Sequence, residues 1–203
     1  VGAYIAGVEA LQGVSTTDTG ITACLAHGVP AALVALAQRA LTGDLRLEGT
    51  AMAVLEACAA ATEQVAHHAD GKKAVREAGG ITMLGAMLGQ CAFHRPSLLK
   101  ATAALMACAV EKESKCDVMR EAGARLVALL REGSDPQLVP NARAALAASA
   151  EHLEARRALG DLLGEDDQRA LVFRGPLPPT PPDFRYKVVL PYGTMENAVG
   201  PRK

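Results

Sequence analysis

Two Cys-x-x-His pairs, Cys24-x-x-His27 and Cys91-x-x-His94, and the doublet His67-His68 are the residues whose types and spacing most invite metal chemistry. Zinc takes four ligands that converge on one point, with thiolates and imidazoles foremost. The two pairs fall in different copies of the repeated pattern described below, so the stack would have to fold back on itself to unite them. The expectation is therefore no metal ligand and no cofactor. Cys58 and Cys108 recur at one repeat position and read as small core residues rather than nucleophiles. Neither G-x-x-x-x-G-K-[ST] nor G-x-G-x-x-G occurs, and no serine sits in a nucleophile-elbow context. The acidic run Glu165-Asp166-Asp167 reads as a solvated loop. Lys72, Lys73 and Arg76 share one turn of a helix; they could meet an acidic partner, but a solvated face is the simpler reading. The sequence predicts no catalytic residue, no small-molecule substrate and no enzyme.

The elements that must position these residues follow from composition. The chain has 203 residues, 50% hydrophobic but only 3% aromatic, and no Trp. Alanine makes up 40 of the residues, all but one before position 171. A β-sandwich or barrel would want β-branched and aromatic side chains; alanine at this density points to closely packed helices. The 21 basic and 22 acidic residues nearly balance, which predicts neither a nucleic-acid nor a membrane footprint. Five irregularly spaced cysteines read as reduced core thiols of an intracellular, cytoplasmic protein. No run of 18 uncharged apolar residues occurs, so no spanning helix is expected. The chain starts at Val1 rather than Met, which suggests a fragment or processed form of something longer.

The character of the chain changes near residue 171. Residues 1–170 carry 16 basic and 20 acidic residues, and 171–203 carry 5 and 2, together with seven of the eleven prolines and four of the six aromatics. The first part reads as a helical body. The second reads as an extended, proline-rich tail that cannot propagate helix and is too short for its own core.

The body repeats. Ala51–Ala59, Ala101–Ala109 and Ala142–Ala150 all fit A-x-A-x-L-x-A-[CS]-A, with their leucines, Leu55, Leu105 and Leu146, 50 and 41 residues apart. Arg76-Glu77-Ala78-Gly79 and Arg120-Glu121-Ala122-Gly123 precede the second and third copies, and His27-Gly28-Val29-Pro30 takes that place in the first. Each glycine predicts the end of a short first helix. A middle helix follows with one apolar face: Leu33, Val34, Leu36 and Leu41; then Ile81, Leu84, Met87 and Leu88; then Leu126, Val127, Leu129 and Leu130. After a breaker, third helices are expected over roughly 46–61, 97–110 and 137–151, with Ser97 and Asp135 in capping territory. The resulting division is 1–13 (the last helix of a preceding unit), 14–62, 63–110, 111–151, 152–170 (a capping helix) and 171–203 (the tail).

Three helices in about 42 residues, with a glycine corner after the first, resemble the armadillo repeat; R-E-A-G-G-I followed by M-L-x-x-M-L resembles its corner, and N-A-R-A-A-L its third-helix core. HEAT-like helix pairs are the nearest competing architecture. The resemblance covers about residues 14–151 and implies an all-α right-handed superhelix whose third helices line a concave face. Units one and two are longer than the family norm, implying insertions around Ala61 to Asp70 and Cys91 to Arg95. Peptide-binding members carry Trp and Asn one turn apart on that face. Here the corresponding positions are Ala53, Ala103 and Ala144, and Ala57, Ala107 and Ala148, so the peptide clamp is absent. Lys100 and Asn141 remain as groove-edge candidates.

In the tail, the prolines from Pro176 to Pro182, Pro178 and Pro181 among them, predict polyproline II. Beyond them Phe184, Tyr186, Val188 and Leu190 alternate as a half-buried strand with no visible hairpin mate, which predicts docking on a partner or across the acidic body. The functional expectation is a non-catalytic scaffold or adaptor whose partners are other proteins of a large eukaryotic intracellular complex, with ciliary or cytoskeletal assemblies as a home. The rival is a regulatory repeat module of a larger enzyme such as a ubiquitin ligase.

Overall fold

The computed structural model describes residues 2–43, 50–133 and 135–181, and the backbone of 187–189 and 195–197. Among the described residues, ten helices carry the body: α1 (Gly2–Val14), α2 (Asp18–Ala26), α3 (Val29–Leu41), α4 (Thr50–Ala66), α5 (Ala69–Glu77), α6 (Gly80–Gln90), α7 (Arg95–Cys108), α8 (Lys112–Glu132), α9 (Leu138–Ser149) and α10 (Leu153–Leu162). A short helical segment, Glu165–Asp167, runs into a π-helical turn at Gln168–Phe173.

The corners form where the sequence provides for them. Gly28 and Gly79 lie at φ +66° and +81°, the left-handed region in which a side chain is strained, and they open α3 and α6. Thr17 begins α2 by accepting the Gly20 N–H at 3.1 Å. Asp135 accepts the N–H groups of Gln137 and Leu138 at 2.8 and 2.9 Å, capping α9 as its position suggests.

Packing builds two layers. In one, α1 lies on α4, α4 on α7 and α7 on α9. In the other, α3 lies on α6 and α6 on α8, and each of these middle helices backs the third helix of its own unit. The third helices approach through alanine: Ala59, Ala101, Ala104, Ala142 and Ala145 are fully enclosed. Leu55, Leu105 and Leu146 sit at equivalent depth, each at most 1% exposed, in one core that runs from Val8 to Val172. No single helix among the described residues is long and apolar enough to cross a membrane.

Several expectations need correction. The R-E-A-G of the third unit does not end a helix: α8 is continuous over 21 residues through Gly123. In the second unit the corner uses two glycines, and a Cβ on Gly80 would lie 2.6 Å from Val75 Cγ1. The third unit has Ala124 in that place, so the tight corner is disfavoured and the helix runs on. Gly123 serves close packing instead, with Leu162 Cδ1 3.3 Å from where its Cβ would be. The insertion expected around Ala61 to Asp70 is a helical extension: α4 continues to Ala66, so the unit boundary drawn at 62/63 falls inside it. Ser97 is not the cap of α7. His94 is, its ring accepting the Ser97 N–H at 3.3 Å, while Ser97 Oγ donates to the Met52 carbonyl across the α4–α7 contact.

The body also continues past residue 170. Val172 is buried, and Arg143 Nε on α9 donates to the Leu171 carbonyl at 2.8 Å. The π-helical turn thus packs on α9, where a next third helix would lie. Finally, the strand expected to lack a mate has one: Lys187–Val189 pairs antiparallel with Met195–Asn197, Val188 opposite Glu196. Sequence alternation marks the first strand, while the three-residue second strand is too short to show a period.

Candidate functional site

The third-helix face presents the six alanines anticipated from the sequence: Ala53 and Ala57 on α4, Ala103 and Ala107 on α7, and Ala144 and Ala148 on α9. All are half-buried except Ala103, which is buried. Of the two edge candidates, Lys100 is engaged within the protein, its Nζ 3.8 Å from Glu63 Oε2 on the neighbouring α4. Asn141 lies half-buried in the first turn of α9.

The Cys-x-x-His pairs stay apart. Cys24 is buried with its sulfur 3.5 Å from Ser15 Oγ, and His27 is exposed at the end of α2. Cys91 is buried, and the His94 ring faces Ser97 at 2.8 Å. His68 opens α5 with Nδ1 3.6 Å from Asp18 Oδ1. Burial pushes the thiols of Cys58 and Cys108 up to about 12, which fits inert core sulfurs.

Charged side chains bind one repeat to the next. Arg76 Nε donates to Asp117 Oδ2 at 2.8 Å, Arg95 pairs with Asp135, Lys115 with Glu151, and Arg131 with Asp167. Of the basic cluster, Arg76 is held by Asp117, exposed Lys73 lies 3.9 Å from Glu77, and Lys72 donates to the His67 carbonyl at 3.3 Å.

One constellation was missed in the sequence. Cys116, in the first turns of α8, places its sulfur 3.3 Å from Nδ1 of His152, the residue that opens α10. Glu154, in the first turn of α10, brings Oε2 to 3.9 Å from the same sulfur. The three ligand atoms lie within 4.8 Å of one another, the one such His, Cys and acid group among the described residues. Cys116 and His152 are half-buried and Glu154 is exposed, so the cluster opens to solvent. Burial, then the Glu154 and Asp117 carboxylates, raise the thiol, while Lys112 and a hydrogen bond from the Ala155 backbone act the other way. The signal available in the sequence was His152-x-Glu154 at a helix start, but its partner cysteine is 36 residues earlier and only the stacking joins them.

Among the large apolar side chains, Phe93 stands fully exposed in the turn before α7, and Val110 is exposed just beyond that helix. Where the chain leaves the body, Arg156 lies over the Phe173 ring at 5.3 Å and donates to the Pro179 carbonyl at 2.8 Å. Pro178 is exposed and Pro181 half-buried. Phe184, Tyr186 and Leu190 lie outside the described residues, and for Val188 only the backbone pairing is described.

Comparison with known proteins places the fold. No family model matches the sequence, and no curated protein matches it. Among solved structures, the chain is similar to the designed armadillo repeat protein YIII(Dq)4CqI, with a TM-score of 0.66, 20% identity, and coverage of 78% of this chain and 63% of that one. It is also similar to an engineered protein from the Northeast Structural Genomics Consortium, target OR497, with a TM-score of 0.69, 24% identity, and coverage of 82% of this chain and 39% of that one. The chain thus spans less than two thirds of the length of either. The architecture is an all-α, armadillo-like solenoid built from repeated helix packing.

Proposed function

We propose that this chain is a non-catalytic scaffold or adaptor that holds other proteins in a large eukaryotic intracellular assembly, with cilia and the cytoskeleton as the home to test first. The observation that carries this reading is the continuous third-helix layer, α1 to α9, which holds alanine where a peptide receptor would carry its indole and carboxamide ladder. Such a face suits a broad, permanent contact better than capture and release of an extended peptide. The segment beyond Phe173 supplies a second contact. Pro178 and Pro181 lower its ordering cost, and Phe184, Tyr186, Val188 and Leu190 offer the apolar area. Lys100 and Asn141 border the alanine face. The rival reading, a regulatory module of a larger enzyme such as a ubiquitin ligase, draws support from no described residue in particular.

The test is co-purification of the full chain with its native complex, alongside thermal melting. Replacing Ala57, Ala107 and Ala148 with Glu, and separately Phe184 and Tyr186 with Ser, is expected to release partners while the body still melts cooperatively. Retention of every partner by both variants would reject the proposal.

A further inference from the structure

We propose that Cys116, His152 and Glu154 bind one borderline-soft divalent cation, zinc by its chemistry, which staples α8 to α10. A tetrahedral zinc with bonds of about 2.0–2.3 Å spaces neighbouring ligand atoms at about 3.3–3.6 Å. The sulfur lies 3.3 Å from the imidazole nitrogen and 3.9 Å from the carboxylate oxygen, so small side-chain adjustments bring all three to one centre. Thiolate and imidazole with a single carboxylate favour zinc over the hard, oxygen-seeking calcium and magnesium. Three protein ligands leave a fourth position for water or for a donor from a partner. On binding, the S–H bond breaks, its proton goes to solvent and a sulfur–metal bond forms, with no change of oxidation state.

A bound dication itself supplies the positive charge that a deprotonated sulfur needs there. The Ala155 N–H, in the first turn of α10, donates to the sulfur, and Lys112 lies one turn earlier on α8. Hydrogen bonds of this kind orient and hold metal thiolates. A catalytic Cys–His–acid relay is the poorer fit. In that arrangement the acid bonds the far nitrogen of the imidazole, whereas Glu154 approaches the sulfur itself and disfavours the free thiolate a nucleophile needs. The cross-link would join two helices that already pack together, since α10 lies against α8 and α9.

The experiment is titration of the full reduced chain with Co²⁺, a spectroscopic stand-in for zinc, in chelator-free buffer. One equivalent should produce a thiolate-to-cobalt charge-transfer band that Zn²⁺ abolishes, and Zn²⁺ should raise the melting temperature. Cys116→Ser should remove the band. His152→Ala and Glu154→Gln should each weaken binding by about tenfold or more, at least the loss typical of outer-shell partners. Cys24→Ser should change nothing. His152 makes no side-chain capping bond to α10, so its removal leaves the helix start intact, and circular dichroism verifies folding of each variant. A fully reduced parent chain that gives no band, or a band that survives Cys116→Ser, would overturn the proposal.

Discussion

Arg95 and Asp135 join two repeats at a point where the carboxylate already has other work. Arg95 Nε donates to Asp135 Oδ2 at 2.5 Å, while Oδ1 accepts two backbone N–H groups at the start of α9. One side chain thus caps a helix and ties that helix to the first residue of α7.

These bonds, the Arg95 hydrogen bond first, hold the Asp135 carboxyl well below the usual carboxylate range. A depressed native pKa means that the folded chain binds fewer protons than the unfolded one. The contribution is therefore complete above the ordinary value of about 3.9 and is lost as pH falls through the native value. Asp135→Ala should lower the melting temperature at neutral pH, and the gap from the parent should close in strong acid. Melting curves across acid pH check this; a gap independent of pH would remove the linkage.

Leu105→Ala should destabilise the body by about 2–5 kcal/mol, the cost of truncating an enclosed leucine in a close-packed core. Leu105 is wholly buried on the central third helix, with α4 on one side and α9 on the other. The denaturant midpoint reads the effect, and an unchanged midpoint would contradict the packing described.

These leucines were legible in the sequence because three copies of one pattern fixed their face, and the alanine face followed from the same register. Gly123 was misread because four residues matched while the fifth, Ala124 against Gly80, decided the geometry. The Cys116 cluster was hidden for another reason. Its members belong to two helices whose relative placement comes from stacking, which no local period encodes. Ser97 failed as a cap because α7 starts two residues earlier, at Arg95, where His94 accepts the Ser97 N–H and the Ser97 hydroxyl bonds across to α4.

Gly79, at a corner, and Gly123, inside α8, should respond differently to alanine. Gly79→Ala places a Cβ at φ +81° and should cost about 1–2 kcal/mol. Gly123→Ala stands in a helix, where alanine gains up to about 1 kcal/mol in propensity. Its Cβ would meet Met119 Cε, the mobile end of a flexible side chain, at 3.0 Å. The expected order is a clear loss at Gly79 and a smaller change at Gly123; chemical denaturation of both variants tests it.

Basic nuclear-import peptides should bind the full chain no better than scrambled peptides of equal charge. Alanine at Ala53, Ala103 and Ala144 leaves no indole wall for a lysine stem, and alanine at Ala57, Ala107 and Ala148 leaves no carboxamide to clamp the peptide backbone. Fluorescence anisotropy decides the matter, and tight binding that depends on peptide sequence would count against it.

The unbroken α8 also bears on which length changes the molecule can absorb. An added or lost residue in the turn between α5 and α6, or between α6 and α7, alters only a loop. Within α8 it would rotate everything downstream in that helix by about 100°. Either Leu126, Val127 and Leu130 would turn out of the core, or Cys116 and Lys115 would swing away from α10. Insertions and deletions should therefore collect at the corners of the first two units, while the third keeps its length.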